Sequence, residues 1–250
     1  MRIHRIHTPA TLEPGSEARL EGDPAHYLGR VLRATAGQTV VLFNGDGQEY
    51  VSEIVRLDKR NVVLRVDSRL PGIAEPELQI TVVQAVSRGE RMDQTLQKCT
   101  ELGAAAFQPV FSERVEVRLK GEKAARRLAH WRGVVVSACE QSGRSVVPPV
   151  HETRMLRQWL DHEGESKRLV LTPDADQRLS DTGIGPLVQL VVGPEGGFSA
   201  AELDLMTAKG VQPVCLGPRI LRTETAAPAA VAIMLALTEG NETPFNRPVA

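Results

Sequence analysis

The segment LVQLVVGPEGGFSAAEL, residues 187–203, decides the class of fold. Its apolar run from Leu187 to Val192 is typical of a buried strand, and a glycine-rich turn and a helix start follow. A second apolar run, Val211 to Leu216, leads through LGPRILRTETAAPAA, residues 216–230, into another helix. Two strand-end loops of this kind form a ligand-binding edge of an α/β sheet.

The first turn disfavours a phosphate ligand. Ser199 and Glu202 have the spacing of a capping box, and Phe198 and Leu203 that of a hydrophobic staple, so the protein itself uses the N–H groups of the helix start. A phosphate site needs those donors free, and Glu195 would repel a pyrophosphate. The spacing matches neither a dinucleotide fingerprint nor a P-loop. The turn suits a nucleoside without phosphate or a cationic ligand. The alternative is a turn with no ligand role, in which the glycines are present only because the backbone needs a positive φ.

The composition is that of an ordinary globular protein. The 250 residues are 42% hydrophobic and 24% charged, which allows one large domain or two smaller ones. The net charge of −1 means that nucleic-acid binding needs a local basic patch. Cys99, Cys139 and Cys215 lack metal-ligand spacing, which predicts buried free thiols, a reducing compartment and no metal. The N-terminus has no apolar signal region and no stretch reaches membrane length, so we expect a cytoplasmic protein.

The pattern changes once along the chain. Residues 1–72 are β-rich, with strands at Thr39 to Phe43, Tyr50 to Val55 and Asn61 to Val66, and a short helix over 24–32 that Asp23 would cap. They predict a small β-barrel. Residues 73–250 alternate strands and helices, which predicts a mostly parallel sheet. The strands are expected at 78–86, 106–110, 168–171, 187–192 and 211–216, and the helices around Met92 to Cys99, Leu128 to Cys139, Met155 to Leu160 and after Thr225.

The second loop contains the most informative charged residues. Ile220 and Leu221 are apolar residues in a loop, where they could wall an aromatic ring. Thr225 is the predicted N-cap of the last helix, which would place Pro228 in its first turn. Arg222 and Glu224 are either a surface ion pair near a helix start or functional groups of the site.

These segments together resemble a known family. Gly193-Pro-Glu-Gly-Gly197 and Leu216-Gly-Pro-Arg-Ile-Leu-Arg-Thr-Glu-Thr225 are similar to the two C-terminal motifs of the SPOUT methyltransferases, and more narrowly of the enzymes that methylate N3 of one uridine in bacterial 16S ribosomal RNA. Further matching segments are Ser87 to Met92, Gln97-Lys98, Thr100 to Gly103, Ser112 to Arg114 and Glu140 to Arg144. Residues His26 to Tyr50 resemble that family's PUA-like RNA-binding domain.

The resemblance implies S-adenosylmethionine as methyl donor, a trefoil knot, a homodimer and 16S ribosomal RNA as substrate. It places the knot and donor site at about residues 168–238. The donor pocket that it implies comprises Leu171, Thr172, Gly193, Glu195, Gly196, Leu216, Gly217, Leu221, Arg222, Thr223, Glu224, Thr225 and Ala226. Pro228 departs from the family pattern, where a small or aliphatic residue is more usual.

Methylation of uridine N3 requires loss of the N3 proton, which places negative charge on O2 and O4. Arg222 is the predicted cation for that charge and Glu224 the predicted base. The residues expected to bind RNA, or else to be solvated surface charges, are Arg2, Arg5, Arg30, Arg33, Arg88, Arg91 and Lys98, followed by Arg114 and Arg118. Two alternatives stay open, a SPOUT enzyme that methylates a ribose 2′-hydroxyl and an RNA-binding module with a vestigial pocket. A Rossmann dehydrogenase is a more distant one.

Overall fold

The computed structural model describes residues 3–58, 61–116, 121–162 and 164–238. The chain divides into two compact units, and each is described by itself. The first contains the chain up to Glu75 together with Val136–Val147. The second contains Pro76–Val135 and the chain from Pro148 to the last described residue, Thr238. Within the described ranges no helix is long and apolar enough to cross a membrane.

The first unit is a five-stranded sheet with one short helix. Its strands run in the order β1-β3-β4-β5-β2. They are β1 (Arg5–His7), β2 (Glu17–Glu21), β3 (Thr39–Phe43), β4 (Gln48–Leu57) and β5 (Asn61–Pro71). Inward side chains alternate with outward ones along β2 and β4, as expected for a sheet with one buried face. The predicted strands of this region are confirmed.

The helix of the first unit, α1 (Asp23–His26), continues into a π-helical turn at Tyr27–Val31. Asp23 is the first helical residue and its side chain makes no capping bond, so its predicted role as N-cap is wrong. Gly22 occupies that position with φ of 64°, a left-handed conformation that glycine adopts without strain.

Residues 136–147 belong to the first unit through polar contacts. The Arg5 guanidinium pairs with Glu49 and donates to the Arg144 carbonyl at 3.1 Å, and Arg144 pairs with Glu75. The His7 backbone N–H donates to Glu140 at 3.0 Å. Nothing in local sequence periodicity indicates this grouping, because it depends on contacts between segments far apart in the chain.

The second unit is built on a six-stranded sheet in which every pairing is parallel. Its elements are β6 (Gln79–Ala85), α2 (Arg91–Leu102), β7 (Ala106–Phe111), α3 (Glu122–Ser142), β8 (Arg154–Met155), α4 (Leu156–Leu160), β9 (Lys167–Leu171), β10 (Leu187–Val192), α5 (Ala200–Ala208), β11 (Gln212–Val214) and α6 (Thr223–Thr238). The division assigns the last residues of α3 to the first unit. The predicted parallel sheet is confirmed. The helix expected to begin at Met155 is shorter, because Met155 pairs in β8.

Strand order in this sheet differs from chain order. The order is β11-β9-β10-β6-β7-β8, so β10 lies between β9 and β6. Val83 on β6, Val170 on β9 and Val191 on β10 are fully buried, as expected for a sheet covered on both faces. Because neighbouring strands are parallel, β9, β10 and β11 all end at one edge, and the loops that follow them share that edge.

The structure confirms the predicted burial for two of the three cysteines. Cys99 and Cys139 are buried, and burial raises the pKa of the Cys139 thiol to about 12 and that of Cys99 further. Cys215 is partly exposed, so its predicted burial is wrong. The reason is its position directly after β11, at the open edge of the sheet.

Candidate functional site

A pocket opens where the loops after β9, β10 and β11 converge. It contains about 700 Å³ of non-protein space, part of which is open solvent. The residues predicted for the donor pocket that line it are Leu171, Thr172, Gly193, Glu195, Leu216, Gly217, Leu221, Thr223 and Ala226. Pro173, Val192, Pro194, Gly197, Val214, Cys215, Arg219 and Ile220 also line it.

The turn after β10 is closed by its own backbone and by the start of α5. The Gly197 N–H donates to the Pro194 carbonyl at 2.9 Å, and Gly197 has φ of 64°. Ser199 Oγ accepts from the Glu202 N–H at 3.2 Å, and the Glu202 carboxylate accepts from the Ser199 N–H at 3.0 Å. The predicted capping box is therefore confirmed. Its donors are not available to a phosphate.

The loop after β11 presents apolar side chains at the pocket. Gly217 has φ of 120°, and Ile220 is 84% exposed although it is aliphatic. An exposed aliphatic side chain beside a pocket is a surface that a planar apolar ligand can cover.

Helix α6 begins earlier than the sequence predicts. The Arg222 carbonyl accepts from the Ala226 N–H at 2.8 Å, so Thr223 is the first helical residue and the predicted N-cap role of Thr225 is wrong. Pro228 consequently lies inside the helix and not in its first turn. Since proline has no N–H, the Glu224 carbonyl lacks the helical donor that residue 228 would otherwise supply.

The Thr223 side chain connects the start of α6 to the turn after β10. Its hydroxyl donates to the Gly193 carbonyl at 2.8 Å and accepts from Gln84 Nε2 at 2.9 Å. Gln84, on β6, is completely buried and also donates to the Ala85 carbonyl at 2.9 Å. Sequence reasoning missed Gln84, although a glutamine in the otherwise apolar end of a predicted central strand is a signal that could have found it.

Two glutamates of the site face one arginine. Glu195 accepts hydrogen bonds from the Arg88 N–H at 2.9 Å and from Arg91 Nη1 at 2.8 Å. Burial disfavours its charged form, but hydrogen bonds from its own backbone, from the Arg88 N–H and from Arg91, together with the Arg91 charge, outweigh burial, so the pKa of Glu195 lies below its usual value. Arg91 Nε also lies 3.8 Å from Glu224 Oε2. The Glu224 side chain is 15% exposed, and among the described residues its buried Oε2 has no hydrogen-bond partner.

Four of the residues predicted for the pocket lie beside it without lining it: Gly196, Arg222, Glu224 and Thr225. The Gly196 carbonyl accepts from Arg114 Nη1 at 2.7 Å. Arg222 is exposed, and no carboxylate or carbonyl within the described ranges binds its guanidinium. It is thus a free cation directly before α6.

The cations predicted to bind RNA differ in availability. Arg5 is 14% exposed and paired within the first unit, which makes it a structural residue there. Arg30 and Arg33 are exposed, and Arg33 adopts φ of 52°. In the second unit, Arg88 pairs with Glu116, and Lys98 pairs with Glu101 at 2.9 Å. Arg2 and Arg118 lie outside the described residues.

The fold and site define an α/β protein with a pocket at the carboxyl edge of a parallel sheet. Comparison with known families adds the particular class. Residues 74–235 match the model of the RNA methyltransferase domain, and residues 20–67 match that of the RNA methyltransferase PUA domain. The chain belongs to the RNA methyltransferase family.

Curated relatives and solved structures agree with this assignment. The chain is 31% identical to the ribosomal RNA small subunit methyltransferase E of Buchnera aphidicola subsp. Schizaphis graminum, over 93% of this chain and 96% of the relative. The enzyme of that name from Neisseria gonorrhoeae, solved with S-adenosyl methionine bound, is 40% identical with a TM-score of 0.90, over 95% of this chain and 98% of that one. A putative methyltransferase from Legionella pneumophila, solved with SAM, is 38% identical with a TM-score of 0.91, over 94% and 98%.

Proposed function

We propose that this protein transfers a methyl group from S-adenosylmethionine to N3 of one uridine in the 16S RNA of the small ribosomal subunit. The observation that carries the proposal is the pocket at the ends of β9, β10 and β11, in a chain that aligns almost end to end with relatives solved with that donor. The proposed donor-binding residues are the predicted ones that line this pocket, and Gly196, Arg222, Glu224 and Thr225 lie beside them.

The residues present fit this donor. S-adenosylmethionine carries an adenosine and a sulfonium cation but no phosphate. Leu216, Ile220 and Leu221 supply apolar surface for the adenine, while backbone groups of the loops can read its edge. The capped start of α5 and the ionised Glu195 disfavour a phosphate and favour a cation.

We propose that two residues beside the pocket act on the uracil. The donor supplies an electrophilic methyl group. The chain must stabilise charge on uracil O2 or O4 and accept the N3 proton. We assign the first role to Arg222, whose planar guanidinium is free of protein partners in the described ranges. We assign the second to Glu224, because its carboxylate oxygen is buried and makes no hydrogen bond among the described residues.

We also propose a knotted chain, a homodimer, two domains and a cellular location. We propose a trefoil knot in residues 168–238, with which the placement of β10 between β6 and β9 is compatible. Beyond its first turn, the residues of α6 that are not buried are mostly apolar, with Leu237 53% exposed, which supports a homodimer. We further propose residues 1–72 as the PUA-like domain, 73–250 as the methyltransferase domain, and a cytoplasmic location.

RNA binding is proposed for exposed cations of both units. Arg30 and Arg33 in the first unit are exposed and have no ion-pair partner within the described ranges. Arg88 and Lys98 are exposed but each pairs with a glutamate, so an RNA phosphate would have to replace that partner. Phosphate and shape contacts are favoured over base stacking because only 4% of the chain is aromatic.

The test is transfer of labelled methyl from S-adenosylmethionine to small ribosomal subunits, and to naked 16S RNA, from cells that lack this modification. The proposal predicts incorporation into at least one of the two substrates. Donor binding by calorimetry without transfer to either substrate would contradict the proposed acceptor. Absence of donor binding would favour an RNA-binding module with a vestigial pocket.

A further inference from the structure

We infer that Arg91 is a positioning residue of the donor site and not a contact to RNA phosphate. Its guanidinium holds two carboxylates, Glu195 of the first turn and Glu224 of α6, in one arrangement. This inference rests on the proposed function and replaces the RNA-binding role that the sequence predicts for Arg91.

The contacts of Arg91 run to two separate loops. Arg91 is the first residue of α2, which fixes its backbone, and its Nη1 lies 2.8 Å from Glu195 Oε1. Its Nε faces Glu224 Oε2 at 3.8 Å, beyond hydrogen-bond length but within ion-pair distance. A rigid planar fork can serve two acceptors in different directions at once, which the single ammonium of a lysine cannot do in the same way.

Arg91 also separates like charges. Glu195 and Glu224 each lie within 4 Å of this one guanidinium, and two carboxylates so placed would repel each other without a cation between them. The repulsion would act on the turn that lines the donor pocket and on the first turn of α6. Arg91 is therefore a direct side-chain link between the donor turn and the residue proposed as base.

Glu224 depends on Arg91 more than Glu195 does. Glu195 keeps the Arg88 N–H as a second donor, whereas Arg91 is the cation within ion-pair distance of Glu224 among the described residues. A carboxylate that is 15% exposed and loses its neighbouring cation is a buried charge without a counter-ion, which favours rotation of the side chain toward solvent. That rotation would move it away from the uracil proton.

An RNA contact fits these observations less well. The Arg91 side chain is 39% exposed, but its charge is already balanced by two carboxylates. A phosphate approaching it would meet the negative charge of both. By contrast, Arg222 and Arg30 have no such partners in the described part of the chain.

The experiment compares R91A, R91K, E195Q and the double variant R91A/E195Q in the full-length protein. Donor affinity is measured by calorimetry. The rate of methyl transfer is measured in single-turnover reactions at saturating donor. RNA affinity is measured at several salt concentrations. The matched control is R126A, which removes an exposed arginine that pairs only within its own helix, with Glu122.

For R91A we expect donor affinity to fall about tenfold and transfer at saturating donor to fall about a hundredfold, with RNA affinity and its salt dependence unchanged. R91K should recover part of the donor affinity. The double variant should lose less donor affinity than the two single losses added together, since both changes break the same contact. The control should behave as the wild type in all three measurements.

The inference is overturned if R91A binds donor and transfers methyl as the wild type does, or if its salt slope for RNA binding falls by about one. It is also overturned if the R91A and E195Q effects on donor affinity add. If R91A does not fold by circular dichroism, R91K and E195Q decide, and wild-type donor affinity in both would contradict the inference. A wild-type protein that binds no donor would instead contradict the proposed function.

Discussion

The guanidinium of Arg222 and the carboxylate of Glu224 are two residues apart in sequence but differ in environment. Arg222 is exposed and unpaired within the described ranges, whereas Glu224 is mostly buried and faces Arg91. An exposed cation can meet an incoming RNA base, while a buried carboxylate keeps its position before the base arrives. Arg222 is therefore suited to stabilise charge on the uracil, and Glu224 is suited to accept its proton.

We predict that R222A lowers methyl transfer about a hundredfold, because an oxygen that gains charge loses its stabilising donor, while donor affinity changes little. E224Q should also lower transfer, since a neutral amide cannot take the N3 proton. Calorimetry and single-turnover assays measure the two effects separately, with R126A as the control for loss of an exposed arginine. Normal transfer by both variants would show that neither residue has the assigned role.

Cys215 provides an independent probe of the pocket. It lines the pocket and is partly exposed, whereas Cys99 and Cys139 are buried with raised thiol pKa values. We predict that a maleimide modifies Cys215 alone in the native protein at neutral pH and that bound S-adenosylhomocysteine slows the modification. Peptide mass spectrometry identifies the labelled residue. Equal labelling with and without that ligand would place the ligand elsewhere.

At the scale of elements, the start of α6 is held by side-chain contacts and not by a capping residue. The Thr223 hydroxyl lies between Gln84 of β6 and the Gly193 carbonyl, so helix, central strand and donor turn share one hydrogen-bonded group. Removal of that hydroxyl leaves the buried Gln84 amide and the Gly193 carbonyl each with one hydrogen-bond partner fewer.

We predict that T223V, which keeps the shape of the side chain, destabilises the protein by about 1–3 kcal/mol and weakens donor binding. T223S keeps the hydroxyl and should retain most of both. Denaturant unfolding and calorimetry of the two variants provide the comparison. If valine and serine behaved alike, the hydroxyl would not be what joins these elements.

Local sequence signals predicted the elements but not their arrangement. Apolar runs located β6, β7, β9 and β10, and the Ser199–Glu202 spacing located the start of α5, because each signal lies within a few residues. The start of α6 was misplaced at Thr225, since its actual bonds run to Gly193 and Gln84, far away in the chain. The insertion of β10 between β6 and β9 and the carboxylate partners of Arg91 were inaccessible for the same reason.

At the scale of the whole molecule, the absence of a net positive charge constrains how RNA is bound. The net charge is −1, so attraction must come from local cations such as Arg30 and Arg33. Each phosphate contact releases counterions, which makes the affinity fall steeply with salt.

We predict that R30E and R33E each weaken RNA binding and lower the slope of log affinity against log salt by about one. R19E is the matched control, because Arg19 is an exposed arginine of β2 in the same unit. Filter binding over a range of salt concentrations gives the slopes. An equal effect of R19E would indicate general electrostatics and not a specific surface.

The position of the transferred methyl group tests the central proposal most directly. After reaction with unmodified small subunits, the RNA is digested to nucleosides and fragments and analysed by mass spectrometry. We predict a single new methyl group on N3 of one uridine, and about a hundredfold less of it in the R222A reaction over the same initial period. A methyl group on a ribose 2′-oxygen, or on any other base position, would contradict the assignment of Arg222 and Glu224 to a uracil anion.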